Sequence, residues 1–136
     1  VSYIHINNPR CEIAVLSCMK ETVRALQGVI NSKIKSSKII IDTVARVQGL
    51  TTDICIYIVP NTHYLRTLEP RLFNVATSRA KNQTIIIADK EILEYYRMDK
   101  VVRGYLEKLD REFSFYLPYN KEKKLITNNN LNLIEE

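Results

Sequence analysis

Residues 38–59 read KIIIDTVARVQGLTTDICIYIV, two near-continuous aliphatic runs, Lys38–Thr43 and Ile54–Val59, around a polar stretch that holds Gly49. Short β-branched runs without alternation predict strands covered on both faces, as in a parallel sheet. Upstream, Ile13–Leu16 is another such run. Met19, Val23, Leu26, Ile30 and Ile34 then recur at spacings of three and four, the stripe of an amphipathic helix, and Lys35–Lys38 is a polar break. A short helix is expected between the second and third strands. Downstream, Pro60–Glu69 reads as a loop, and Pro70 opens a helix through Leu72, Val75 and Ala76. Thr84–Ala88 (TIIIA) is the fourth strand, with Asp89 as N-cap of a helix through Tyr96. This alternation predicts an α/β fold, an open parallel sheet flanked by helices. Ligands are then expected at the carboxyl ends of the strands: Ser17–Lys20, Thr43–Asp53, Asn61–His63 and Asp89. Asp99–Glu112 reads as a charged helix and 113–136 as a peripheral hairpin or partly ordered tail, which puts the domain at 1–98 and the periphery at 99–136.

The 136 residues and 15.8 kDa suit one domain, and 46% hydrophobic with 26% charged residues excludes wholesale disorder. Gly28, Gly49 and Gly104 stand too far apart for GxxxxGK[ST] or GxGxxG, so the chain carries no phosphate loop of its own. No apolar run nears the roughly 20 residues of a membrane helix. The start VSYIHINNPR has no signal-peptide pattern and no initiator Met, which suggests a piece of a longer chain. Cys11, Cys18 and Cys55 lack metal-ligand spacing and read as reduced thiols of a cytoplasmic protein. The net charge of +5 is compatible with a polyanionic partner or with a solvated lysine-rich surface. Residues 1–41 hold six basic and two acidic side chains, residues 42–70 two and three.

Two segments carry more than a generic α/β reading. Thr43–Asp53 (TVARVQGLTTD) leads into ICIYIV, and Arg71–Lys81 (RLFNVATSRAK) leads into TIIIAD. Their order, spacing and strand contexts resemble motifs V and VI of superfamily 1 helicases of the UvrD-like and Upf-like branches. AVLSCMKET also resembles the VITPYRAQ segment that follows an earlier strand of the same domain. The resemblance covers roughly residues 12–93 and implies a RecA-like fold, the second motor domain of such a helicase, lacking the phosphate loop.

The resemblance implies a role for named residues. Arg79 corresponds to the arginine that reaches across an interdomain cleft to the transferring phosphoryl group. By helical phase it should continue the stripe of Leu72, Val75 and Ala76; a surface ion pair is the competing reading. Gln48, Gly49 and Thr51 fall where the family contacts the nucleotide, Gly49 allowing a tight turn. Thr51 stands where family members usually carry Glu, so a charged contact there is replaced by a hydroxyl. Ser17 and Thr43, with their following backbone N–H groups, are candidates to hold a nucleic-acid phosphate, with ordinary N-capping as the alternative. Lys20 and Arg46 are weaker backbone-contact candidates. Tyr95, Tyr96, Phe113, Phe115, Tyr116 and Tyr119 are further stacking candidates, with aromatic packing as the alternative. His5 and His63 have no partner pattern. No protein metal site is expected.

The partners implied are single-stranded DNA or RNA and a missing N-terminal RecA-like domain of the same protein; no membrane is expected. ATP and Mg belong to the full-length motor, and none is expected on this fragment alone. The rival from another class is a non-enzymatic nucleic-acid or protein interaction module on the same fold. A receiver or flavodoxin-like domain fits less well, since no acidic cluster or flavin-type phosphate loop follows the first strand.

Overall fold

The computed structural model describes residues 1–47 and 49–113, apart from the side chain of Phe113. The expected hairpin or tail, with Phe115, Tyr116 and Tyr119, lies outside them. Four strands, β1 (Ile13–Ser17), β2 (Ile39–Thr43), β3 (Thr52–Val59) and β4 (Ala80–Ala88), form one parallel sheet in the order β2-β1-β3-β4. Every residue of β1 is buried, as a central strand covered on both faces requires. One face carries α1 (Ser2–Asn7) and α2 (Lys20–Lys33) over Ile13, Val15, Ile41, Ile54 and Ile56. The other carries α3 (Tyr64–Thr67), α4 (Pro70–Thr77), a 3-10 turn at Lys90–Glu94 and α5 (Lys100–Phe113) over Ala14, Leu16, Cys55 and Tyr57.

Local chemistry explains the helix starts. Glu69 caps α4 by accepting the N–H groups of Arg71 and Leu72 at 3.2 and 3.0 Å, with Pro70 in the first turn. Asp89 accepts the Glu91 N–H at 2.9 Å, although the helix expected through Tyr96 is only the 3-10 turn. Asp99 accepts from Val101 and Val102 and starts α5, which adds Val102 and Leu106 to the same core as Tyr57.

Three expectations need correction, and one element, α1, has no counterpart among them. The loop after β3 contains the short α3. The N-terminal α1 carries no readable stripe and buries only Ile4. The fourth strand starts at Ala80 rather than Thr84, because an edge strand can pair its backbone while Lys81 and Asn82 face solvent. Finally, the short helix expected between β2 and β3 is absent: Val44–Val47 forms turns.

That last difference shapes the molecule. The chain leaves β2 at the carboxyl edge, passes β1 and re-enters at the amino end of β3, and the described residues of the 44–51 segment contain no helix. An eight-residue segment spans up to about 26 Å, enough to cross a five-residue strand of about 17 Å. The crossing is anchored by Val44 and Val47, both buried in the core with Leu16 and Phe73, and by the Val44 N–H on the Ser17 carbonyl at 3.0 Å.

Burial here has a measurable consequence. Cys55 is fully buried with its thiol 3.4 Å from the Ala76 carbonyl, and burial pushes that thiol up to about 11. An unfolded thiol titrates near about 8.5, so the unfolded state loses its proton first and stability falls as pH rises from about 9 to about 11. Burial pushes Cys18 and Tyr57 in the same direction. The urea midpoint should therefore drop over this window, with a Cys55 share on the order of 2 to 3 kcal/mol. Cys55→Ala should shallow the drop; an alkaline-flat midpoint in the unsubstituted chain would contradict the burial of these groups.

Candidate functional site: two edges of one sheet

The crossing segment separates the candidate residues onto opposite rims. At the carboxyl edge, Ser17 is fully buried; its Oγ accepts the Met19 N–H at 3.2 Å and its carbonyl accepts from Val44. Its side chain thus serves the turn into α2. Thr43 is almost buried, donating its N–H to Asp42 Oδ1 at 2.7 Å and accepting the Arg46 N–H at 3.1 Å. Arg46 is exposed with Nη1 3.8 Å from Asp42 Oδ1, and Lys20 is exposed at the first residue of α2.

Lys20, Thr43 and Arg46 line one groove of about 200 Å³ between α2 and the end of β2. Arg24, Gln27, Asp42 and Val23 complete its walls. Gln27 fixes the helix against the strand by donating Nε2–H to the Ile41 carbonyl at 2.8 Å. Sequence reading passed over Arg24 and Asp42. The available signal was the i, i+4 spacing of Arg24 from Lys20, which places both on one helix face.

At the amino edge lie Gly49, Thr51 and Arg79. This corrects the expectation that all of Thr43–Asp53 sits at the carboxyl ends of the strands, for the segment starts at one rim and ends at the other. Gly49 has φ +85°, a left-handed conformation that costs other residues about 1 to 2 kcal/mol. Nothing crowds the place of its missing Cβ, so the backbone angle is what calls for glycine. Thr51 is exposed, and Gln48 lies outside the described residues.

Arg79 does not extend the stripe of α4. The helix ends at Thr77 and Arg79 occupies the turn before β4. Its Nε–H donates to the Val75 carbonyl at 3.0 Å and Nη1–H to the Leu50 carbonyl at 3.3 Å. Its own carbonyl accepts the Thr52 N–H at 3.0 Å. The guanidinium is half-buried, held in plane by two backbone oxygens, and forms no ion pair among the described residues. Motif-bearing segments far apart in sequence, at Leu50–Thr52 and Val75–Arg79, are thereby joined.

Of the stacking candidates, Tyr95 is half-buried against Tyr64, ring centroids 5.5 Å apart. Tyr96 is exposed with Arg97 5.5 Å over its ring. Among the described residues, no group of three or more His, Cys, Asp or Glu side chains could hold a metal ion. No helix among them is long and apolar enough to cross a membrane.

A four-stranded parallel sheet, helices on both faces, and polar and cationic rims define an open-sheet domain of the RecA-like class. A family model described as AAA domain matches residues 2–91, and the chain belongs to that family, the C-terminal AAA domain of superfamily 1 helicases of the UvrD-like and Upf-like branches. No curated protein matches the chain significantly.

Proposed function

We propose that this domain is the second motor domain of an ATP-dependent DNA or RNA helicase, giving Arg79 to an ATPase site that another RecA-like domain completes. The observation that carries this reading is the anchoring of Arg79 on the Leu50 and Val75 carbonyls at the amino edge. An arginine fixed before the reaction meets developing phosphoryl charge without reorganising. Gly49 and Thr51 are nucleotide contacts of the same rim, Gln48 joins them by the sequence resemblance alone, and Lys20, Thr43 and Arg46 hold the nucleic-acid backbone at the other. Ser17 contributes through the turn it braces.

The residues present fit the phosphate end of a nucleotide: the guanidinium has N–H donors and, among the described residues, no carboxylate competes for it in an ion pair. Mg, when bound, neutralises phosphate charge, and its ligands come from the other domain. The compartment on this reading is the cytoplasm, where free Cys11, Cys18 and Cys55 stay reduced.

The test is hydrolysis by the 136-residue chain alone, which should be absent because an arginine without a phosphate loop and magnesium has nothing to act on. Turnover by the isolated chain that disappears with Arg79→Ala would contradict the shared site.

A further inference from the structure

We infer that the groove between α2 and β2 is a single-phosphate site for a nucleic-acid strand, in which Arg24 is a direct contact and Asp42 restrains Arg46. The inference rests on the nucleic-acid reading above and adds two residues to it.

Size comes first. At about 200 Å³ the groove is smaller than the roughly 300 to 1,000 Å³ of pockets that enclose whole small molecules. It suits one anionic group of a longer ligand rather than an entire nucleotide. Charge comes second. Three cationic side chains, Lys20, Arg24 and Arg46, line it from two separate elements, and Asp42 is the sole carboxylate among the lining residues. Lys20 and Arg24 share a face one helical turn apart, so a phosphate between them is met by a point charge and by a planar fork.

Asp42 gives the groove its second property. Its Oδ1 accepts the Thr43 N–H at 2.7 Å and lies 3.8 Å from Arg46 Nη1. The carboxylate both sets the turn and pulls Arg46 along the groove wall, and an incoming phosphate must compete with it for that guanidinium. Arg46 is therefore held in reserve, while Arg24, which has no ion pair among the described residues, meets the phosphate without such a competitor.

The experiment is anisotropy titration of the full chain with a single-stranded oligonucleotide between about 50 and about 200 mM salt. Each phosphate contact on a single strand contributes about 0.7 to the slope of log K against log salt. Arg24→Ala should lower the slope by up to about 0.7, as should Lys20→Ala, and the double variant by no more than about 0.7, because the two side chains share one phosphate. Arg111→Ala, exposed on α5 across the sheet, should leave it unchanged. Asp42→Asn keeps an acceptor for the Thr43 N–H while freeing Arg46, and should raise affinity roughly two- to fivefold. Because Lys20 and Arg24 are exposed, their variants should melt within a few degrees of the unsubstituted chain.

A slope unchanged by Arg24→Ala but lowered by Lys20→Ala or Arg46→Ala overturns the assignment of Arg24 and leaves the nucleic-acid reading standing. An affinity unchanged by Asp42→Asn overturns the restraint. A chain that does not bind the oligonucleotide at all overturns both the inference and the reading beneath it. Inorganic phosphate binding as tightly as the oligonucleotide would make the groove a free-anion site and overturn the inference.

Discussion

Arg79→Ala, made in the two-domain motor proposed above, should lower kcat by at least about 10² while nucleotide affinity falls only modestly. Arginines that neutralise a transferring phosphoryl group are worth on the order of 10³ to 10⁵ in rate, and their effect is concentrated where charge develops. The surroundings of Arg79 sharpen the expectation. Its Nε and Nη1 are tied to Val75 and Leu50, so the plane of the guanidinium is set by backbone atoms rather than by the substrate. Arg79→Lys should recover little, because an ammonium cannot hold two carbonyls at that spacing and still present a fork to phosphate. Removing the side chain also leaves the Leu50 and Val75 carbonyls without these donors, a stability loss of about 1 to 2 kcal/mol, which a shift in thermal midpoint would register. Steady-state kinetics with separate measurement of nucleotide binding checks the split. If Arg79→Ala unfolds the domain while the folded fraction keeps full specific activity, Arg79 is a structural residue. Thr51→Glu provides a contrast: a restored carboxylate at an exposed position should alter nucleotide affinity more than turnover.

Tyr57→Ala should destabilise the domain by about 3 to 5 kcal/mol, a large share of the roughly 5 to 15 kcal/mol that holds such domains folded. Tyr57 is fully buried in the middle of β3 and meets Phe73 edge to face, centroids 6.0 Å apart. Its hydroxyl donates to the Thr67 carbonyl at 2.6 Å and lies 3.0 Å from the Cys18 thiol. The turn after β1, the connection between β3 and α4, and α4 itself are thus joined around one ring. Tyr57→Phe keeps the packing but removes the partner of both groups, which should cost about 1 to 3 kcal/mol. Urea titration distinguishes the two variants. A loss below about 1.5 kcal/mol for the alanine variant would mean that the ring does not fill this core.

Much of the fold was legible because burial leaves a local trace. The aliphatic runs at Ile13–Leu16, Lys38–Thr43, Ile54–Val59 and Thr84–Ala88 fall in strands except for Lys38, which precedes β2, and the stripe from Met19 to Ile34 follows α2 and its flanks. Pro70 begins its expected helix behind the Glu69 cap, and Asp89 caps the following element as expected, although that element is a short 3-10 turn rather than a helix through Tyr96. Where the reading fell short, the trace was missing or ambiguous. Lys81–Gln83 is polar yet belongs to the strand, because Ala80 and Gln83 pair with Thr52 and Ile54 on either side of an irregularity and an edge strand is held by backbone hydrogen bonds rather than by its side chains. Val44 and Val47 look like one turn of a helix, but the same two burials serve a crossing that has too few residues for one.

The amino-acid sequence by itself determined the alternating α/β order, the parallel character of the sheet and the family to which the segments around Gly49 and Arg79 belong. Those properties depend on which residues must leave water, a preference written into neighbours three, four or two positions apart. Only the tertiary structure decided which rim each candidate occupies. Thr43 and Thr51 are close in the chain yet lie on opposite edges, because strand order β2-β1-β3 forces the segment between them across the sheet. Leu50 and Arg79 are far apart in the chain yet hydrogen-bonded, because β3 and β4 start side by side. The groove of Lys20, Arg24, Asp42 and Arg46 likewise exists only once α2 lies against β2. Such juxtapositions follow from long-range packing of whole elements, which no local periodicity encodes.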